Sequence, residues 1–224
     1  MDRTLLDLNL NGIGSAAGGE YRHVRLDGVC KLLSDVSAET FVVNGHGSAQ
    51  GAVRTKQFTC NGKFTIKGAL NSEEVRIDGM VDTGSVNADR VTANGGLSSE
   101  GDVESELFEL TGYFDVEGLL NAGTIKISLH GGSRAREIGG EIIRVRKGKD
   151  AKWNKLVSWA IPRLNVQLEA NVIEGDDIEL EETVAAVVRG NRVVIGKGCR
   201  IGKVEHKGEL VVHPQAKVDE RVRN

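Results

Sequence analysis

The side chains in this chain of 224 residues that are suited to catalysis or metal binding are five histidines, three cysteines and one short run of acids. His23, His46, His130, His206 and His213 could form a zinc site only if three of them converged, and their spacings place no set of them together. Surface or turn positions account for them better. Cys30, Cys60 and Cys199 form no CxxC pair and leave one thiol over. That count argues against a disulfide scaffold or zinc ribbon and for reduced thiols. Asp176, Asp177, Glu181 and Glu182 make an acidic cluster that reads either as a cation site or as a solvated loop, and the loop is the simpler meaning. GGSRAREIGG carries Gly131-Gly132 and Gly139-Gly140 at a spacing that fits no phosphate loop, and it reads as a bend region. No Ser/His/Asp grouping, P-loop or GxGxxG stands out. Metal, cofactor and catalytic residues are therefore all expected to be absent.

The elements that would position any such site follow from composition and repeat. Lys plus Arg is 29 and Asp plus Glu is 32, a net charge of −3 that provides no general attraction to nucleic acid or anionic lipid. Glycine is frequent at 29 residues while proline is rare at 2, which suggests many tight bends in a folded chain rather than a disordered one. No apolar run approaches the roughly 18 residues of a membrane-spanning helix. MDRTLLDLNLNG is too acidic and too broken for a signal peptide, so a cytoplasmic protein is expected.

A repeat of about 17 residues organises the first half. Gly28, Gly45, Gly62 and Gly79 are 17 apart, Gly95 follows after 16 and Gly112 after 17, and Gly12 lies 16 before Gly28. Asn or Asp precedes six of these seven glycines, as at corners that use a left-handed turn. A second glycine column, Gly51, Gly68, Gly84, Gly101 and Gly118, has its single short step in the same place. One deletion between Gly79 and Gly84 explains both columns. Apolar positions keep the same period. Leu8, Val24, Phe41, Phe58, Val75, Val91, Phe108 and Ile125 form one column, and Leu10, Leu26, Val43, Cys60, Ile77, Ala93, Leu110 and Ile127 lie two residues on. The residue between is mostly polar, which is strand alternation. Cys30, Gly47, Phe64, Val81, Leu97 and Phe114 form a third column, with Gly47 as a gap. All five Phe fall in two columns, which implies that like stacks on like. Such a unit is one rung of a solenoid that buries its apolar face only against its neighbours.

The repeat weakens after Ile127. Ile143 to Gly148 reads as one more rung, and residues 146–165 read as an irregular or helical insertion. There Trp153, Leu156, Val157, Ala160, Ile161 and Leu164 have helical spacing among lysines until Pro162. A loop or short helix packed on the solenoid is preferred over a membrane-surface helix. The repeat then resumes, with Ile178, Ile195 and Val212 on one column, Val184, Ile201 and Val218 on another, and Val193 matching Leu210. The expected organisation is a main β-helix over 8–145, the insertion at 146–165, a continued β-helix over 166–218 and a tail at 219–224. That makes roughly eleven rungs and a rod of about 50 Å at ~4.8 Å per rung.

Serial units such as VRLDG, FVVNG, FTCNG and VRIDG, with the block IEGDDIELEETVAAVVRGNRVVIGKGCRIGKVEHKGEL, resemble the bactofilins, and the latter block resembles the C-terminal part of longer Gram-positive members. The resemblance covers about residues 8–215. It implies a right-handed parallel β-helix and a bacterial cytoskeletal protein that polymerises without nucleotide or metal. It also implies a place often at the inner face of the membrane, and a role in cell shape or envelope processes with envelope-associated partners. Many bactofilins carry a disordered tail before the helix. Here the first rung starts near Leu8, so no such tail is expected beyond Leu5 and Leu6.

Two other classes compete. IGKGCRIGK, Ile195 to Lys203, contains about one repeat of the hexapeptide acyltransferases, but the dominant period is 17 and no histidine column accompanies it. Pectate-lyase-like β-helices bind calcium with clustered acids, and the acids at 176–182 are the matching feature. A monomeric binding scaffold is a third possibility. Outward positions such as Arg25, Thr59, Arg76, Glu109 and Lys126 alternate in sign, so no nucleic-acid stripe forms. Polymerisation has a direct physical route, because the last rung at each end exposes unpaired backbone groups. Leu8, Leu10, Val24 and Leu26 at one end, and Leu210, Val211 and Val212 at the other, are the candidate contacts.

Overall fold

The computed structural model describes residues 5–148 and 166–224. Of these residues 82% are strand and none is helical, and the parallel strands wind a β-solenoid of about 12 turns with a spacing near 17 residues. The chain divides into two compact units, Met1–Glu106 and Leu107–Asn224.

The first unit contains β1 (Leu8–Ala16), β2 (Gly19–Glu20), β3 (His23–Leu32), β4 (Val36–Ala49) and β5 (Val53–Ser99), and it ends within β6 (Val103–Leu129). The strands pair in parallel in the order β1-β3-β4-β5, with β2 on β4. β5 is 47 residues long because its ladder continues unbroken through successive corners. The register is the expected one: Leu8 pairs with Val24, Val24 with Phe41, Phe41 with Phe58, and Cys30 with Gly47 and then Phe64. Phe41, Phe58, Phe64, Val75 and Val91 are all at or below 1% exposure. The rings of Phe41 and Phe58 stack with centroids 5.6 Å apart, and Phe64 tilts onto Phe41 at 5.6 Å. Gly47 is the gap in its column because a Cβ there would press on the Phe64 ring and on the carbonyl of Cys30.

The corners explain the first glycine column. Gly28, Gly45, Gly79 and Gly95 have φ of 121°, 135°, 156° and 143°, a region that side chains rarely enter. A Cβ on any of them would also overlap the carbonyl of the glycine one rung below. The polar residue before each glycine makes a ladder of its own. Asn44 donates to Asp27 at 2.7 Å, Asn61 to Asn44 at 2.8 Å and Asn94 to Asp78 at 3.0 Å. These amide donors, helped by Arg25 and Arg76, hold the Asp27 and Asp78 carboxyls below the usual range.

The second unit contains most of β6, then β7 (Ser133–Lys147), β8 (Leu168–Leu180), β9 (Thr183–Ile195), β10 (Arg200–His206), β11 (Leu210–Val212) and β12 (Lys217–Arg223). The order is β6-β7-β8-β9-β10-β12, with β11 on β9. Phe108 and Phe114 are buried and meet edge to face at 6.2 Å, and Gly112 has φ of 148°. Several sequence expectations change here. Ser133–Lys147 is a regular strand, so the bend in GGSRAREIGG is confined to residues 131–132. β7 runs two residues into the expected 146–165 insertion, and from 149 onward that segment lies outside the described residues. Ile143 pairs with Ile178, 35 residues on and about twice the repeat. Ile178 then pairs with Val193 rather than Ile195, because this rung is only 15 residues long; Ile195 lies over Leu180. Val184 points outward, and Ala185 is the residue that stacks under Ile201 and Val218. Val193 with Leu210 is the expected pair. β12 continues to Arg223, so most of 219–224 is strand and not tail.

Outward positions of the second unit carry cross-rung ion pairs. Asp177 takes Arg144 on one side and Arg192, at 2.8 Å, on the other. Glu179 takes the same two arginines at 3.4 and 3.0 Å. The Asp177 carboxyl is held below its ordinary range chiefly by the Arg144 hydrogen bond, and Glu179 by that of Arg192. A carboxylate depressed in the folded state adds stability that is complete above the ordinary carboxylate range and is lost as pH falls through the lowered value. Denaturant midpoints should therefore drop below about pH 4, and the drop should be shallower in an Asp177→Asn/Glu179→Gln variant. Parallel acid limbs for the two proteins would show that the network adds nothing.

Candidate functional site

The two end strands are where the repeat stops satisfying itself. Among the described residues β1 has a ladder partner on one side only, β3. Its inward side chains Leu8 and Leu10 are half-buried, whereas Val24 and Leu26, one rung further in, are 1% exposed. Val24 and Leu26 are thus covered by β1 and do not face the edge, because β1 supplies the layer that every inner rung has on both sides. The β1 sequence LNLNGIGSA holds no charge, so the usual protection of an edge strand by charged side chains is missing.

At the other end β11 pairs with β9 alone and β12 with β10 alone among the described residues. Leu210 and Val212 face inward over Val193 and Ile195 and are half-buried. Val211 has the opposite phase and points outward at 45% exposure, because alternation along a strand puts neighbours on opposite faces. Two further edge residues, Val218 and Val222, are half-buried in β12. Val222 was legible only as an apolar residue in the charged stretch 219–224, which reads as a tail until β12 is seen to pair. That strand is guarded: Lys217 pairs with Asp219 at 3.2 Å, and Glu220 lies 3.7 Å from Lys203.

The residues suited to chemistry do not assemble into a centre. His23 bonds Thr40 at 2.8 Å, His46 stacks between Val29 and Lys63, and His206 between Gly190 and Arg223. Cys30, Cys60 and Cys199 are unpaired and buried. Burial pushes the Cys60 thiol up to about 12 and Cys199 up to about 11, so neither is a thiolate at neutral pH. Asp177 is occupied by arginines, while Glu181 accepts the Lys147 N–H at 3.0 Å and Glu182 pairs with the Lys147 ammonium at 3.3 Å. Among the described residues no three His, Cys, Asp or Glu side chains converge as metal ligands would. In IGKGCRIGK, residues 196–199 are a corner, with Gly198 at φ of 77° and Cys199 turned inward. A concavity of about 860 Å³ on the second unit sits over Ala170, Ala185 and Ala186, and its rim mixes Arg134, Arg200 and Lys217 with Glu117, Glu169 and Asp219.

Over 236 aligned positions the chain is 42% identical to the uncharacterized protein YhbE of Bacillus subtilis (strain 168), which covers 95% of each chain. It is also 38% identical over 102 residues to the uncharacterized protein YhbF of the same organism, a match that spans 45% of this chain and 40% of that one. No family model matches. No solved structure matches.

Proposed function

We propose, from the premise that this chain belongs to the family of the Bacillus subtilis protein YhbE, that it is a non-enzymatic scaffold that assembles end to end into filaments without nucleotide, in the manner of the bactofilins. The observation that carries this reading is the pair of half-exposed apolar edges. Among the described residues, Leu8 and Leu10 in β1, and Leu210, Val212, Val218 and Val222 in β11 and β12, each lack the covering layer their inner counterparts have. Backbone N–H and C=O groups on those edges are templates for another strand, and a heterologous contact between unlike ends does not close. Role and place follow from the same reading: a homopolymer supporting cell shape or envelope processes. No helix among the described residues is long and apolar enough to cross a membrane.

Negative-stain microscopy of the purified chain without nucleotide tests the proposal. Filaments are expected. A single monomer-sized species by light scattering, at high concentration and across salt conditions, would contradict it and favour a monomeric binding scaffold.

A further inference from the structure

The corner pairs Asn11-Gly12, Asn44-Gly45, Asn61-Gly62 and Asn94-Gly95 share one reactivity. Glycine has no side chain to shield its main-chain nitrogen, so that nitrogen can attack the preceding side-chain amide. The bond from the glycine nitrogen to Cγ forms, the Cγ–Nδ2 bond breaks, and the displaced proton leaves with Nδ2 as ammonia. Water then opens the succinimide ring. Cleavage of the new bond gives aspartate, and cleavage of the old peptide bond gives isoaspartate, with an extra carbon in the main chain. Solvent water is the only co-reactant.

The stacked rungs restrain the inner pairs. Asn44 donates to Asp27 and accepts from Asn61, and Asn94 donates to Asp78. Gly45 and Gly62 are half-buried and Gly95 is buried. Asn11-Gly12 has none of these restraints. Asn11 is exposed and its side chain has no hydrogen bond among the described residues, because Asp27, opposite it in the register, takes Asn44 and Arg25 instead. Gly12 is exposed with φ of 84°, against 135° and 143° at Gly45 and Gly95, and nothing lies within 4 Å of its added Cβ. Ring closure must leave the extended strand, which holds the glycine nitrogen away from Cγ. β1 is paired on one side only among the described residues, so it opens locally at less cost than the inner strands.

We propose that Asn11 is a self-modification site, and that the carboxylate it becomes closes the β1 edge to assembly. The loss of assembly rests on the end-to-end reading above; the modification does not. The new charge lands on a strand that has none, LNLNGIGSA, and faces the Asp27 carboxylate across the rung. Like charges directly opposite one another disfavour pairing, and a charge is the usual guard of an edge strand. The isoaspartate form also puts the residues after it out of step with β3. An assembled β1 edge gains the layer it lacks, so free chains are modified while polymerised ones are spared.

Peptide mapping by mass spectrometry tests the site, on the full chain held dilute in warm, mildly alkaline buffer. Conversion at Asn11 should run on the order of tenfold faster than at Asn44, Asn61 or Asn94, and unfolding in urea should bring all of them to similar rates. Equal rates in the folded chain, or an Asn11 that does not react, would overturn the site. Sedimentation velocity tests the consequence. Asn11→Asp should need about fivefold more protein than the parent to assemble. Asn11→Gln closes the ring far less readily, so it should assemble as the fresh parent does and keep that behaviour on storage. An Asn11→Asp variant that assembles as the parent does would overturn the effect on the edge. A parent that never assembles would sink that effect together with the end-to-end reading, while the mapping still decides whether Asn11 is the reactive position.

Discussion

Replacing Gly95 by alanine is expected to destabilise the first unit by about 2–5 kcal/mol, from a strained backbone and an overpacked corner together. Gly95 has φ of 143°, and an added Cβ would overlap the carbonyl oxygen of Gly79 directly below it. Neither problem can relax alone. Moving the corner outward breaks the ladder, and restoring the ladder restores the overlap. Gly12 separates the two terms. It also has a positive φ, of 84°, but nothing lies within 4 Å of its added Cβ because no rung sits below it among the described residues. Gly12→Ala should therefore show only the backbone part, about 1–2 kcal/mol. Urea midpoints of the two variants measure the difference directly. Equal losses would mean that stacking of corner on corner contributes nothing beyond glycine's backbone freedom.

Phe41→Ala is expected to cost about 3–5 kcal/mol, as for a fully buried ring removed from a close-packed core. Phe41 is 0% exposed and touches two other rings, Phe58 in its own column and Phe64 across the core. Phe64 itself fills the space left by Gly47, so the three rings and that glycine form one packing unit. The double variant Phe41→Ala/Phe64→Ala should therefore lose less than the sum of the two single losses, since the second truncation removes contacts already broken. Strict additivity in denaturant titrations would argue that the columns pack independently.

The first half of this fold was legible because its signals are redundant. Two glycine columns share one deletion, and the apolar columns share their beat, so every register in β1, β3 and β4 follows from counting. Counting failed in the second unit for a specific reason. Strand alternation has a period of two, so a two-residue slip keeps every side chain on its proper face. Ile178 and Leu180 are both apolar, as are Val193 and Ile195, and a 17-residue step between Ile178 and Ile195 looks as good as the true 15-residue step. A one-residue slip is harder to hide: Val184 stood in for Ala185, and only burial tells them apart, because the true core residue is the smaller of the two. The edges were half legible. Apolar residues at the ends could be named, but Val24 and Leu26 lost their candidacy once β1 was seen to cover them. The outward phase of Val211, and the inclusion of Val218 and Val222, needed the pairing of β11 and β12.

Sedimentation velocity of Leu8→Glu/Leu10→Glu beside the parent chain tests assembly through the ends most directly. These side chains are half-exposed on an edge, so the variant should keep the parent's circular dichroism. The parent should sediment as large, concentration-dependent species, while the variant, with two like charges on the β1 edge, should fall to monomers or closed pairs. A parent that stays at one monomeric size, or a variant that assembles as the parent does, would contradict assembly through the end strands.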